Sequence, residues 1–290
     1  MKKISNILLI LAVIMWGFSF ISIKFCVEVL SPVVLSFYRF SIAAGVLFML
    51  LKLKEPNAKL SLKHTPQIII SGIIGITIYY FTESKGLKYV SASTLAIIGT
   101  TIPIFTLVGE TIITKSKISK SSLFSIFVAI IGICFVVNKS VNTLLSDGSG
   151  IGYILIFLSV LSWVIYTFIT KSLFNYYSGL LIVTYQTIFA ALSFLPFAFM
   201  ERANLSLVNN SISLNILYIG IFPSALAYYF YAEAMNELGV TKSSFYMNLI
   251  PIVTIMGGAF FLQEKITWNI ILGTGLILLS IIVIQGTNKT

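Results

Sequence analysis

An apolar stretch with a proline in its interior occurs twice in this chain, 148 positions apart, and that pairing narrows the possible folds more than any other feature. The first copy is residues 93–119, STLAIIGTTIPIFTLVGETIITKSKIS, and the second is residues 245–267. Pro103, Ile104, Thr106 and Gly109 recur as Pro251, Ile252, Thr254 and Gly257, and Lys117-Ile118 recurs as Lys265-Ile266. In water a mid-helix proline removes a hydrogen bond and clashes with the preceding turn. Inside a bilayer the break is tolerated when neighbouring helices or polar side chains satisfy the freed carbonyl. The same break in corresponding places of two halves is the sequence mark of a carrier's binding site.

The rest of the chain supports a membrane setting. It is 58% hydrophobic and only 10% charged over 290 residues, against about 25% charged in soluble domains. A span needs about 20 apolar residues, and on that rule ten are expected: 4–27, 32–51, 67–84, 91–114, 119–138, 150–171, 178–200, 212–234, 243–263 and 268–285. The N-terminal apolar run is too long for a signal peptide and reads as an uncleaved first span. The net charge of +10 sits mostly between spans, which sets topology and argues against nucleic acid as a partner. With a cytoplasmic N-terminus, twelve basic residues fall inside and six outside, among them Lys139 and Arg202, which favours both termini in the cytoplasm. Lys242 and Lys289 count among the inside ones.

Repetition extends beyond the opening stretch. Trp16 pairs with Trp163, Lys24 with Lys171, Tyr38 with Tyr185 and Ala43-Ala44 with Ala190-Ala191, all 147 positions apart. Tyr79 with Tyr229 and Glu83 with Glu233 are 150 apart. The expected organisation is a half over 1–140, a linker at 141–149 and a half over 150–290. Each half has an odd number of spans, so the second enters the membrane from the opposite face. Two inverted five-helix repeats with a site between them near the midplane follow.

Little supports an enzyme. His64 is alone in a lysine-rich loop and reads as solvated, Cys26 and Cys134 read as small hydrophobes, and no His, Cys or carboxylate cluster has metal-ligand spacing. No cofactor or metal is expected. Gly72, Gly75, Gly273 and Gly275 read as packing notches. Polar residues within spans are more informative, since burying one in hydrocarbon is unfavourable without a partner. Arg39 lies about 12 Å into its span at 1.5 Å per residue, as an internal strut or as a recognition point for a carboxylate or phosphate; its counterpart is Gln186. Thr100 and Asn248 stand three residues before the repeated Pro103 and Pro251, the expected hinges. Asn248 either contacts substrate or satisfies the carbonyl that Pro251 frees. Trp16 and Trp163 lie deep in their spans and, with Tyr80, Tyr166 and Tyr228, are candidate cavity linings; Tyr79 and Tyr229 are similar. Glu83, Glu110, Glu233 and Glu264 fall near span ends, so no deep acid is expected and transport should be facilitated or weakly coupled, with Glu110 the residue to overturn that.

These residues resemble an EamA-type member of the drug/metabolite transporter superfamily. The likeness runs over the whole chain: Trp16-Gly17, Ser31-Pro32 with Arg39, Pro103, and Pro251 to Gln263-Glu264-Lys265-Ile266 followed by Gly273. The chain departs from the family pattern at Ser116, where the second half has Glu264, and at Gln263, where the family has glycine. The resemblance implies ten helices in two inverted halves, peripheral fifth and tenth helices, and export of amino acids or related metabolites across the cell membrane. Other readings are nucleotide-sugar or nucleobase traffic, and a membrane receptor or assembly partner that moves nothing. All spans are similarly apolar outside, so no oligomer interface stands out.

Overall fold

The computed structural model describes residues 2–115, 120–137, 148–201, 208–239, 243, 244 and 246–287. Lys117-Ile118, Ser116, Lys139, Arg202, Lys242, Lys289 and most of the expected linker lie outside the described residues. Among the described residues the regular structure is entirely helical. We label the helices α1 (Lys2–Val27), α2 (Pro32–Lys54), α3 (Thr65–Gly86), α4 (Ala92–Gly99 with Ile102–Thr114), α5 (Lys120–Val137), α6 (Ser149–Leu173), α7 (Gly179–Met200), α8 (Asn210–Leu238), α9 (Met247–Phe261) and α10 (Trp268–Thr287). Seven, α1 to α4 and α6 to α8, are long and apolar enough to cross a membrane. The other three expected spans hold shorter apolar helices, at Leu123–Val137, Met247–Phe261 and Trp268–Ser280. The first of them lies in α5, which is flanked on both sides by residues outside those described.

Local sequence sets the helix starts. Ser31, Ser91, Ser178 and Asn209 each accept a hydrogen bond from the backbone N–H three residues on, the N-cap arrangement. Ser31 and Ser178 stand at corresponding places of the two halves of the sequence. Neither repeated proline kinks a helix. Each instead opens a new segment, Pro103 in Ile102–Thr114 and Pro251 in Ile250–Phe261, where its missing N–H leaves no orphan. Before them the chain tightens: Thr100 and Thr101 donate to the carbonyls of Ile97 and Ile98, and Met247–Leu249 is a 3₁₀ turn.

A second pair of irregularities was not foreseen. Ile73–Ile78 in α3 and Gly220–Leu226 in α8 widen into π turns 147 positions apart, a form concentrated at functional sites. In α8 Pro223 removes a donor. The α3 turn itself holds no proline; there the ring of Tyr166 occupies the space beside Gly75, where a Cβ would sit 2.1 Å from it.

The helices pack crosswise between the halves of the sequence. α1 packs on α8 and α9, α6 on α3 and α4, α2 on α7, and α5 on α10. Close approach is possible because glycines stand at the crossings. A Cβ on Gly72 would lie 2.6 Å from the Gln186 carbonyl oxygen, and one on Gly273 would lie 2.6 Å from that of Gly132. Gly275 meets nothing and is no notch. Apolar side chains cover the outside, with Phe199, Met200 and Phe260 at least 75% exposed, a surface suited to lipid and not to water.

Candidate functional site

The centre of the bundle is aromatic. Trp16 of α1 meets Trp163 of α6 edge-on at 5.8 Å, and both contact Tyr228 of α8, at 5.9 and 5.7 Å. Tyr79 lies 5.2 Å from Trp163, Tyr80 6.2 Å from Tyr228, and Tyr231 5.3 Å from Trp16. All are buried. The Trp16 indole donates to the Pro223 carbonyl at 2.9 Å, and the Ser162 hydroxyl to that of Ile74. A helix from each half of the sequence thus serves the π turn of the other. Such interhelical bonds average about 0.6 kcal/mol each in membranes, so packing of the whole cluster, and no single bond, holds the centre.

Arg39 reaches this cluster from α2. Its guanidinium stacks 4.2 Å from the centre of the Tyr80 ring and 5.2 Å from that of Phe40, and its Nε donates to the Ser224 hydroxyl. Glu83 lies in its field and is approached by the Tyr79 hydroxyl. Contrary to the sequence reading, Glu83 is no span-end anchor: it is only 1% exposed. Its helix ends against protein, with Leu87 fully buried beyond it. The available signals were its match with Glu233 and its place one turn after Tyr79, on the same helix face. Glu110 is the peripheral acid, 3.7 Å from Lys171 and partly exposed.

Trp16, Tyr79, Tyr80, Glu83, Trp163 and Met247 line a cavity of about 20 Å³, room for one water. A second of the same size shares Phe20, Tyr79, Met247 and Ile250 with it and touches Gly99 and Ile102. Both helix breaks therefore abut the centre. Several buried polar atoms here have no hydrogen bond: Arg39 Nη2, Glu83 Oε2, Trp163 Nε1, the Tyr228 and Tyr231 hydroxyls and Asn248 Oδ1. Tyr231 approaches Trp163, and Tyr228 approaches Tyr80, without closing a bond of good geometry.

The remaining predicted residues divide differently. Gln186 is a strut: its amide donates to Ser71 and Thr170 at 2.8 and 3.0 Å and accepts from Tyr166 at 3.2 Å. The Thr100 hydroxyl is taken by the Ile97 carbonyl of its own helix. Asn248 is not needed for the carbonyl that Pro251 leaves unpaired, since Met247 accepts from the Ile250 N–H. Tyr229 sits away from the cluster and accepts from Lys54 at 3.0 Å. His64, expected to be solvated, bonds the Tyr177 hydroxyl at 2.9 Å and packs 4.3 Å from the Tyr176 ring.

Polar clasps close the bundle above and below the cluster. At one end Lys24 donates to the Leu87 and Val90 carbonyls. There Glu264 caps α4, accepting from the backbone of Ala92 and Ser93 at 2.8 and 3.2 Å and from the Ser93 hydroxyl, where the helix N-terminus favours an anion. Gln263, at the family's glycine position, takes a left-handed φ of 53° just before it. At the other end of α3 the Ser178 hydroxyl donates to Glu55 at 2.7 Å, and Gln67 donates to the Ile169 carbonyl at 3.2 Å. Among the described residues, no group of three or more His, Cys, Asp or Glu could hold a metal.

Two segments, residues 3–138 and 150–286, match the model of the EamA-like transporter family. This chain belongs to that family. An uncharacterized transporter of Archaeoglobus fulgidus is 26% identical over 96% of this chain and 97% of its own length. The uncharacterized transporter YyaM of Bacillus subtilis is 28% identical over 93% and 90%. A crystal structure of a protein 12% identical has a TM-score of 0.71, covering 98% of this chain and 97% of that one, a likeness of fold alone. The EamA-like chain is accordingly a multi-pass membrane transporter, and not an enzyme, whose cargo is a small molecule.

Proposed function

We propose that this EamA-like transporter exports amino acids or closely related zwitterions across the cell membrane by alternating access. The observation that carries the reading is the set of unpartnered buried atoms around the aromatic centre. Arg39, Trp163 and the two tyrosines offer donors suited to a carboxylate, while Glu83 and Asn248 offer acceptors suited to an ammonium group. The aromatic rings between them suit an apolar side chain. Thus Trp16, Arg39, Tyr80, Trp163, Tyr228 and Asn248 form the substrate shell, with Tyr166 behind Trp163. Glu83 beside Arg39 weighs against nucleotide-sugar traffic, because it repels a phosphate.

The proposed architecture is ten helices in two inverted halves, 1–140 and 150–290, with both termini cytoplasmic. The crosswise packing and the matched helix breaks and π turns support it. Hydrogen bonds tie the helices at both ends and the central cavity holds about 20 Å³, so on this reading substrate binding requires the halves to part. The hinges are the breaks before Pro103 and Pro251. The test is efflux of a radiolabelled amino-acid mixture from vesicles containing the purified protein. Efflux above that of empty vesicles, reduced in Asn248→Leu, supports the reading; folded protein that moves none of the mixture refutes it.

A further inference from the structure

We propose that Glu83 is the cation subsite of the central cavity, occupied alternately by a proton and by the ammonium group of the substrate, so that the carrier exchanges one for the other. This rests on the zwitterion reading above and adds the coupling ion to it.

Three observations converge on Glu83. It is buried to 1% exposure, it lines the central cavity, and its Oε2 has no hydrogen-bond partner. The charge of Arg39 reaches Glu83, yet Arg39 Nη2 and Glu83 Oε2 each lack a hydrogen bond, so the buried carboxylate still has a face that is unfavourable without a proton or a second cation. Arg39 on α2 and Tyr79 and Tyr80 on its own helix act on it directly; beyond them Cys26 on α1 lies near Arg39, Tyr228 on α8 packs on Tyr80, Tyr166 on α6 packs on Trp163, and Lys24 on α1 reaches the Leu87 carbonyl. Lys24 is committed to the carbonyls of Leu87 and Val90, and Tyr166 to Gln186. Arg39 holds its proton permanently, leaving its Nη2 for an anion. Glu83 is the group here that can both release a proton and receive an ammonium group. When a zwitterion binds, its carboxylate turns to Arg39 and its ammonium to Glu83, and the proton leaves. When substrate departs, the proton returns. Glu233, the counterpart in sequence, lies instead beside Gly179 at the start of α7 and is partly exposed, so the exchange involves one carboxylate.

The test uses the full chain in vesicles, with counterflow of a radiolabelled amino-acid mixture measured at equal pH on both sides. In wild type the half-saturating concentration should rise with acidity, approaching about tenfold per pH unit where proton and ammonium compete for one carboxylate. In Glu83→Gln it should be raised and flat with pH, and Glu83→Asp should restore the slope. Adding the mixture to solubilised wild type in weak buffer should release about one proton per protein, the capacity of a single carboxylate, and Glu83→Gln should release none. Counterflow with a flat pH profile and no proton release in wild type would overturn this assignment while leaving the carrier reading intact. Absence of any counterflow in folded wild type would overturn both. If Glu83→Gln does not fold, the wild-type proton release and the Glu83→Asp profile decide the matter.

Discussion

Gln186 and Arg39 occupy equivalent places in the repeated sequence, yet their surroundings give them opposite work. Gln186 spends its whole amide on Tyr166, Ser71 and Thr170, whereas Arg39 keeps a buried Nη2 without a bond. Gln186→Leu should therefore act on stability and spare selectivity. Orphaning the three partners costs about 1–3 kcal/mol, seen as a lower unfolding temperature in detergent, with the relative rates among amino acids unchanged. A shift in those relative rates would return Gln186 to the substrate shell. Sequence spacing found the aromatic members of the cluster because tryptophans deep in apolar spans are conspicuous. It missed Glu83 because distance from a span end was taken as depth. Depth depends on what packs over that end, and here Leu87 and Val90 of the following turn are buried, with Lys24 bonded to their carbonyls.

Helix breaks were half legible. The prolines announced α4 and α9, but the π turn in α3 carries no proline, and its Gly75 signalled close packing without announcing a break. It accommodates a ring from α6, a contact that no local pattern encodes. Close backbone approach is similarly specific. Gly72→Ala would set a methyl 2.6 Å from the Gln186 carbonyl oxygen, and since backbone cannot yield as a side chain does, the α3–α7 contact should loosen by about 1–3 kcal/mol. Gly45→Ala, with nothing within 4 Å, should leave the unfolding temperature unchanged or slightly higher. Equal effects of the two would remove the close-contact argument. The Glu264 cap makes a separate prediction. In a background with Cys26 and Cys134 replaced by serine, a cysteine at Ser19 should react faster with a membrane-impermeant maleimide once Glu264→Ala frees the start of α4. An unchanged rate would mean that this clasp does not gate the cavity.

At the scale of the molecule, the crosswise packing means that neither half of the sequence buries its own best surfaces. α1 needs α8, α6 needs α3, and α5 needs α10. Residues 1–140 and 150–290 made as two chains should consequently co-purify and recover efflux, while either alone should be lost from the membrane. Independent accumulation of one half would contradict that dependence. The two halves are also unequal where it matters most: one brings Arg39 and Glu83 to the centre, and the other brings a satisfied glutamine and leaves its glutamate at a helix start. On the alternating-access reading proposed above, identical halves would make the inward- and outward-facing forms equivalent by a two-fold rotation and equal in energy. With the charges confined to one half, the resting population must favour one form. Apparent affinity measured from the two sides of the membrane will then differ, and detailed balance ties the ratio to that preference. Such a carrier works as a kinetic rectifier under load, although at equilibrium it favours neither direction.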